Sequence, residues 1–190
     1  MGQKVNKKTT FREWLAVVPF TDFQMQTYDR PMRVGKKVVP ENLDDLTIGQ
    51  LIELSTPAAG NESLYRIPEV ILGMKRREVA RARAVEVVPF IGWVMTEVEK
   101  INKLFEKASG KPSEIERRAG IDKLTFGLFG MLDWYALRMG YVDHDEVLRV
   151  GWMRIYKCMD MDTKKAEFNK RLQEEIINDN RRKVARGSKK

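Results

Sequence analysis

The feature that most constrains this chain is the stretch 121–139, IDKLTFGLFGMLDWYALRM, which predicts a helix that is apolar around most of its circumference. Charged side chains are few in it, among them Lys123, Asp133 and Arg138. A helix of this kind belongs at the centre of a hydrophobic core or in a protein interface, because no side of it suits water. The side chains that we expect to be buried in packing or in an interface are Phe129, Leu132, Trp134 and, further along the chain, Trp152.

Composition and charge narrow the class of protein. The chain has 190 residues, 43% of them hydrophobic and 33% charged, which suits one soluble domain with a core of its own. The net charge of +8 favours an acidic partner, either nucleic acid or an acidic protein surface. The chain contains a single cysteine, and its polar start, MGQKVNKKTT, lacks the apolar run of a secretory signal. We therefore expect a protein of a reducing cytoplasm with no membrane partner.

Helical order is predicted from Thr47 onward. Thr47 with Gln50 fits a capping box, and the pairs Ser113–Glu116 and Asp143–Glu146 fit two more. Pro68 suits a first-turn position, and Gly140 suits the end of the apolar helix. The clearest apolar stripe steps by three and four residues through Ile91, Val94, Val98, Ile101, Phe105 and Ala108. A last helix, about 163–180, carries a thinner stripe of Phe168, Leu172 and Ile176.

The resulting fold prediction is all-α, with five or six helices in one compact domain over 47–180. Residues 1–46 are predicted to be an extended N-terminal arm, since they have little apolar periodicity and contain Pro31, Gly35 and Pro40. Within them, Thr10 can cap a short helix and a small hairpin can form at Gly35. We expect the arm to contact other subunits more than its own domain. Residues 181–190 are predicted to be a solvated basic tail.

A basic segment, KRREVARAR, gives two open interpretations. On a helix its cations could neutralise phosphates without reading sequence. Alternatively, they could form a solvated face paired with Glu78 and Glu86 or with acidic residues on a neighbouring subunit, which we favour. The residues of this possible partner-facing or DNA-facing surface are Lys75, Arg76, Arg77, Arg81 and Arg83.

Candidates for catalysis are few. Asp133 lies within the apolar stretch, where it could be a catalytic carboxylate with a raised pKa or an ion-pair partner that fixes the packing of the helix. His144 and Cys158 have no identifiable third partner. Gly127 and Gly130 favour close helix packing over a phosphate loop. We predict no enzyme, and no catalytic, cofactor-binding or metal-binding residue.

Two segments resemble phage structural and assembly proteins. They are NLDDLTIGQLIEL at 42–54 and the longer stretch 130–172, which joins a hydrophobic helix, a glycine turn and a helix with Trp152. One similar class is the ring proteins of the head-to-tail connector, including those of crAss-like phages, and the other is the tail-assembly chaperones. The ring-protein resemblance implies helical wedges that stack near the portal and contact neighbours, and it supplies no catalytic residues.

The function predicted from the sequence is a non-enzymatic structural subunit of a phage head-to-tail connector, a portal-proximal ring or adaptor. We expect a homo-oligomer in the virion, assembled in the host cytoplasm, with portal or tail proteins as partners and possible non-specific DNA contact. The alternatives are a sequence-independent nucleic-acid-binding protein and a tail-assembly chaperone. The +8 charge counts against a chaperone, which would more often be acidic or neutral.

Overall fold

The computed structural model describes residues 8–17, 28–57, 60–110, 112–124 and 126–187. It is 71% helical with a single two-stranded sheet among those residues, which confirms the all-α prediction. The described residues form nine α-helices rather than five or six, because several are only one or two turns long. In chain order the elements are α1 (Phe11–Val17), β1 (Arg33–Val34), β2 (Lys37–Val38), α2 (Ile48–Ser55), α3 (Glu62–Leu72), α4 (Arg76–Arg81), α5 (Ala84–Ala108), α6 (Glu114–Arg118), α7 (Gly127–Met139), α8 (His144–Leu148) and α9 (Trp152–Gly187).

The hydrophobic core is built around α5. Side chains along it, including Phe90, Ile91 and Val94, have no exposed surface, and α1, α2, α3, α9 and β1 pack against this helix. The apolar stripe predicted for 89–108 is buried as expected, with Phe105 half-buried. Pro68 lies inside α3 rather than at the first-turn position predicted for it, and Pro89 lies inside α5. Each proline costs its helix one backbone hydrogen bond, and here tertiary packing outweighs that loss.

Local signals in the sequence predicted several helix ends correctly. The Thr47 hydroxyl accepts from the Gln50 amide at 3.1 Å, and the Gln50 side chain accepts from the Thr47 amide at 3.0 Å. Ser113 forms the same motif with Glu116. Asp143 caps α8 by accepting from the Asp145 amide, and not through the predicted box with Glu146. These motifs succeed because each depends on groups within three residues of one another.

The N-terminal segment differs from the predicted arm. Phe11 has no exposed surface, its amide donates to the Ala82 carbonyl at 2.8 Å, and the Ala84 amide donates to Thr9 at 2.9 Å. The predicted hairpin is present as β1 and β2, and it buries Val34 completely. The described parts of 1–46 therefore belong to the packed domain, because scattered apolar side chains reach the core without a periodic pattern.

A second connection joins the segment before α2 to the start of α9. The Ile48 amide donates to the Val150 carbonyl at 2.7 Å, and the Trp152 amide donates to Leu46 at 3.1 Å. The Trp152 indole N–H donates to the Leu43 carbonyl at 2.8 Å, and the ring is buried. Trp152 is therefore a core residue, and of its two predicted roles, packing or interface, the packing role is confirmed.

Helix α9 is longer than predicted. It runs without interruption over 36 residues, so the expected break before 163 is absent and residues 181–187 of the predicted tail are helical. None of the described helices has the length and apolar character needed to cross a membrane.

Candidate interaction surfaces

Helix α7 is not the centre of the core. Its inner side buries Leu132, Tyr135 and Ala136. Its outer side carries Phe126, Phe129 and Leu137, which are 67%, 64% and 77% exposed, and we call these three residues the α7 stripe. Phe129 is exposed in the single chain, so its predicted burial in the core is wrong, whereas a role in an interface stays a prediction. The core has formed around α5, and no described element covers this face of α7.

The other predicted packing residues of this region are placed as follows. Leu132 is buried, as expected, whereas Trp134 is half-buried with the Arg138 guanidinium 5.7 Å from its ring centroid. Gly130 lies against the Phe126 side chain, and a Cβ atom there would come within 2.6 Å of the Phe126 Cβ. Gly127 has φ of +52° and open space around it. The two glycines therefore shape the start of α7 and do not serve the close contact between helices that the sequence predicted.

Carboxylates border the α7 stripe. The Asp133 side chain is half exposed, and its Oδ1 lies 3.5 Å from His144 Nε2. The His144 ring in turn packs edge-on against Phe129, with 4.9 Å between ring centroids. His144 begins α8, whose first turn also carries Asp145 and Glu146. Four carboxylate side chains therefore lie in the region beside Phe129, and we call them the acidic rim: Asp133, Asp143, Asp145 and Glu146.

The rim does not form a metal-ligand cluster with other described residues. No group of three His, Cys, Asp or Glu side chains in the described residues could hold a metal ion. Asp133 is not the buried carboxylate that the sequence implied, because its side chain is half exposed. Cys158 is half-buried on α9 and lies among the residues that pack against the core.

The outer part of α9 is a second apolar surface. Every side chain from 164 to 184 is exposed, over a helical length of about 31 Å. Its larger apolar side chains, which we call the α9 stripe, are Phe168, Leu172, Ile176, Ile177 and Val184. The ion pairs Arg171–Glu167 and Lys183–Asp179 are of the i,i+4 type, which stabilises a helix by only about 0.2–0.5 kcal/mol per pair. This surface was partly predicted, through Phe168, Leu172 and Ile176.

The predicted basic cluster is divided by the fold. Arg76 donates two hydrogen bonds to Glu62, at 2.6 and 2.7 Å, and thereby lowers the pKa of that carboxyl. Arg83 pairs with Glu86, which also accepts from the Gly35 amide. Two of the five cations therefore have acidic partners among the described residues, and one of these partners is the predicted Glu86. Glu78 instead accepts from the Lys75 backbone amide.

The remaining arginines border a groove between α1 and α4. Arg77 and Arg81, one turn apart on α4, lie beside it with Arg12 of α1. None of these three guanidinium groups forms an ion pair with a described residue, in contrast to Arg76 and Arg83. Among the described residues that line the groove, Glu13 is the one carboxylate, and it accepts hydrogen bonds from Thr10, which lower its pKa. We call Arg12, Arg77 and Arg81 the basic groove; the sequence did not indicate the contribution of Arg12, which comes from a distant segment.

An apolar depression that the sequence did not indicate runs along α5. One cavity of about 410 Å³ lies between α2, α3 and α5, with Met95 and Val98 in its wall. A neighbouring cavity of about 450 Å³ includes Phe105, Leu128 and Met159 in its wall, and the two cavities share Asn102.

Comparison of the chain with protein-family models, curated proteins and solved structures finds no match.

Proposed function

We propose that this protein is a non-enzymatic structural subunit of an oligomeric assembly, and specifically a ring or adaptor subunit of a phage head-to-tail connector. The observation that carries the proposal is the presence of two separate apolar surfaces on one chain, the α7 stripe and the α9 stripe. Soluble monomers rarely leave such large apolar side chains grouped on their surface, and aromatic residues are enriched in interfaces. Copies of the same chain, together with portal or tail proteins, are the proposed partners.

The choice of a connector ring over other assemblies comes from the sequence resemblance of 42–54 and 130–172 to phage ring proteins. The +8 net charge favours a ring subunit over a tail-assembly chaperone, the other similar class. The proposed location is the virion, with assembly in the host cytoplasm. Portal and major capsid genes next to the gene for this chain would support this choice, and their absence would count against it.

The oligomeric part of the proposal is tested by the mass of the purified chain in solution. Multi-angle light scattering should give a mass several times 22.1 kDa, and electron microscopy should show rings. A chain that stays monomeric up to roughly 100 µM would contradict the proposal, because ring contacts weaker than this give a binding free energy of only about −5 kcal/mol.

A second candidate function, sequence-independent nucleic-acid binding, is favoured by the basic groove. Its guanidinium groups lack partners among the described residues and could contact phosphates. Replacing Arg77 and Arg81 by Gln should then weaken binding to duplex DNA. The same change should reduce the slope of log affinity against log salt by about 0.9 for each phosphate that the variant no longer neutralises.

The matched control is Arg76→Gln with Arg83→Gln, which removes the same charge from residues already paired with Glu62 and Glu86. Equal loss of DNA binding in both double variants would point to general charge, and not to the groove. DNA binding that is absent in the wild-type chain at low salt would exclude this candidate.

A further inference from the structure

We propose that the outer part of α9 from one copy docks on the α7 stripe of the next copy, so that the chains associate head to tail. This inference rests on the proposed structural function and specifies the contact that the assembly would use. The contact uses a different surface on each of the two partners. When two copies associate in this way, one α9 stripe and one α7 stripe remain unoccupied. Further copies can therefore add until the two ends meet and a ring closes.

The α9 stripe cannot cover the α7 stripe of its own chain. The base of α9 packs against α5 and α2, and Asp162 there forms an ion pair with Arg138 near the end of α7. The Thr163 hydroxyl donates to the Ala108 carbonyl one residue later. From this anchored point the helix continues without a break, so the residues beyond 164 lead away from the anchor. Folding back onto α7 would require breaking a regular helix.

Charge favours the same pairing. The α7 stripe is bordered by the acidic rim, Asp133, Asp143, Asp145 and Glu146. The outer end of α9 carries three consecutive basic residues, Arg181, Arg182 and Lys183, all exposed. Only Lys183 has an acidic partner within the described residues, through an exposed i,i+4 pair with Asp179. An α9 helix laid on the neighbour's α7 would bring opposite charges together, whereas two α9 ends placed side by side would repel if parallel.

The dimensions also suit a helix-on-helix contact. The exposed part of α9 is about 31 Å long and α7 is about 20 Å long, so the helix can cover α7 and still extend past the acidic rim. Side chains at Phe168, Leu172 and Ile176 repeat every four residues, as anchors of a docked helix do. A single helix face buries less than a standard interface of about 800 Å² per partner. A closed ring compensates for this, because every subunit is then held at two contacts.

The test uses two variants with complementary defects. The helix variant carries Leu172→Asp and Ile176→Asp, and the stripe variant carries Phe129→Asp and Leu137→Asp. All four positions are exposed in the single chain, so each variant should keep the wild-type melting temperature and circular dichroism. Each variant alone should be monomeric. Their equimolar mixture should give a species of twice the 22.1 kDa chain mass, because one intact stripe then meets one intact helix. The mixture is measured at a concentration of about 100 µM or more, since this pair lacks the second contact that a closed ring provides.

Three results would overturn the head-to-tail contact. If the stripe variant alone still associates, α9 pairs with α9; if the helix variant alone still associates, α7 pairs with α7. If the wild-type chain forms oligomers but the mixture stays monomeric, the interface lies elsewhere, and the proposed structural function survives without this contact. A monomeric wild-type chain would contradict the structural function itself.

A charge exchange gives a second, independent measurement. Arg181→Glu with Arg182→Glu should weaken assembly by roughly tenfold or more at low salt, and Asp145→Lys with Glu146→Lys should do the same. Combining all four changes in one chain should restore assembly. The matched control is Lys36→Glu with Lys37→Glu on the hairpin, which removes the same charge and should leave assembly unchanged. Failure of the fourfold variant to recover would overturn the pairing of the acidic rim with the end of α9.

Discussion

Tyr135 lies on the inner side of α7 with its hydroxyl group buried, and no described residue provides that group with a hydrogen-bond partner. An unsatisfied buried polar group costs about 1–3 kcal/mol. Replacing Tyr135 by Phe should therefore leave the free energy of unfolding unchanged or raise it by up to about 1 kcal/mol, measured by urea denaturation. Tyr156→Phe, at a partly exposed position, is the control. A loss of more than about 1 kcal/mol for Tyr135→Phe would mean that the hydroxyl has a partner.

Because of the buried Tyr135 phenol, we also expect the free energy of unfolding to depend on pH in the alkaline range. Burial raises the pKa of the Tyr135 phenol above its usual value of about 10. The unfolded chain therefore loses this proton at a lower pH than the folded chain does. Stability contributed by the neutral phenol is complete below about pH 10 and declines as the pH rises above that value. Denaturation curves at about pH 8 to 11 should show a smaller alkaline loss for Tyr135→Phe than for the wild-type chain.

Truncating two side chains that lie one helical turn apart on α7 should change stability by very different amounts. Leu132 is buried, so Leu132→Ala should lower the free energy of unfolding by about 2–5 kcal/mol. Phe129 is exposed, so Phe129→Ala should change it by no more than about 0.5 kcal/mol in the dissociated chain. Thermal unfolding of dilute protein measures both. Equal losses at the two positions would show that the outer face of α7 is covered in the single chain.

At the scale of elements, the sequence predicted what short-range chemistry determines. The boxes at Thr47 and Ser113, the hairpin at Gly35 and the end of α7 at Gly140 all depend on a few neighbouring residues. The burial of Phe11 depends on a contact with residues near 82, which no local pattern reveals. The exposure of the α7 stripe could not be predicted either, because apolar composition indicates that a helix needs a partner and does not indicate where that partner is.

The packing of the N-terminal segment gives a prediction at this scale. A chain that begins at Thr47 lacks Phe11, Val34, Val39 and Leu43, all of which are buried. Burying one such side chain contributes about 1.5–3 kcal/mol, which is a large share of the roughly 5–15 kcal/mol typical of a domain. We expect calorimetry to show a melting temperature lower by about 10 °C or more, or no cooperative transition.

Helix α9 should change its dynamics when the protein assembles. A helix segment of about 20 residues without tertiary contacts is marginally stable in water, since i,i+4 ion pairs add only tenths of a kcal/mol. Amide hydrogen exchange over 164–184 should be fast in dilute protein, while α5 is protected. Raising the protein concentration should slow exchange over 164–184 and leave α5 unchanged. Strong protection of 164–184 in a demonstrated monomer would contradict an unpartnered helix.

At the scale of the whole molecule, the angle between the projecting α9 and the α7 stripe decides the form of the assembly. A head-to-tail contact closes into a ring when its rotation divides a full turn, and otherwise grows as an open filament. Both forms contain the same contact, so the proposed docking of α9 on α7 does not by itself establish a ring. The proposed connector subunit requires closure, and this requirement can be measured.

We therefore predict that the mass of the wild-type assembly reaches a plateau as concentration rises, at one whole-number multiple of 22.1 kDa. Light scattering across a concentration series measures the plateau, and native mass spectrometry gives the multiple. Because the acidic rim and the end of α9 are exposed, salt near about 1 M, where the screening length is about 3 Å, should shift the onset to higher concentration without changing the plateau mass. A mass that continues to grow with concentration would keep the head-to-tail contact but exclude the ring, since an open filament has no last subunit.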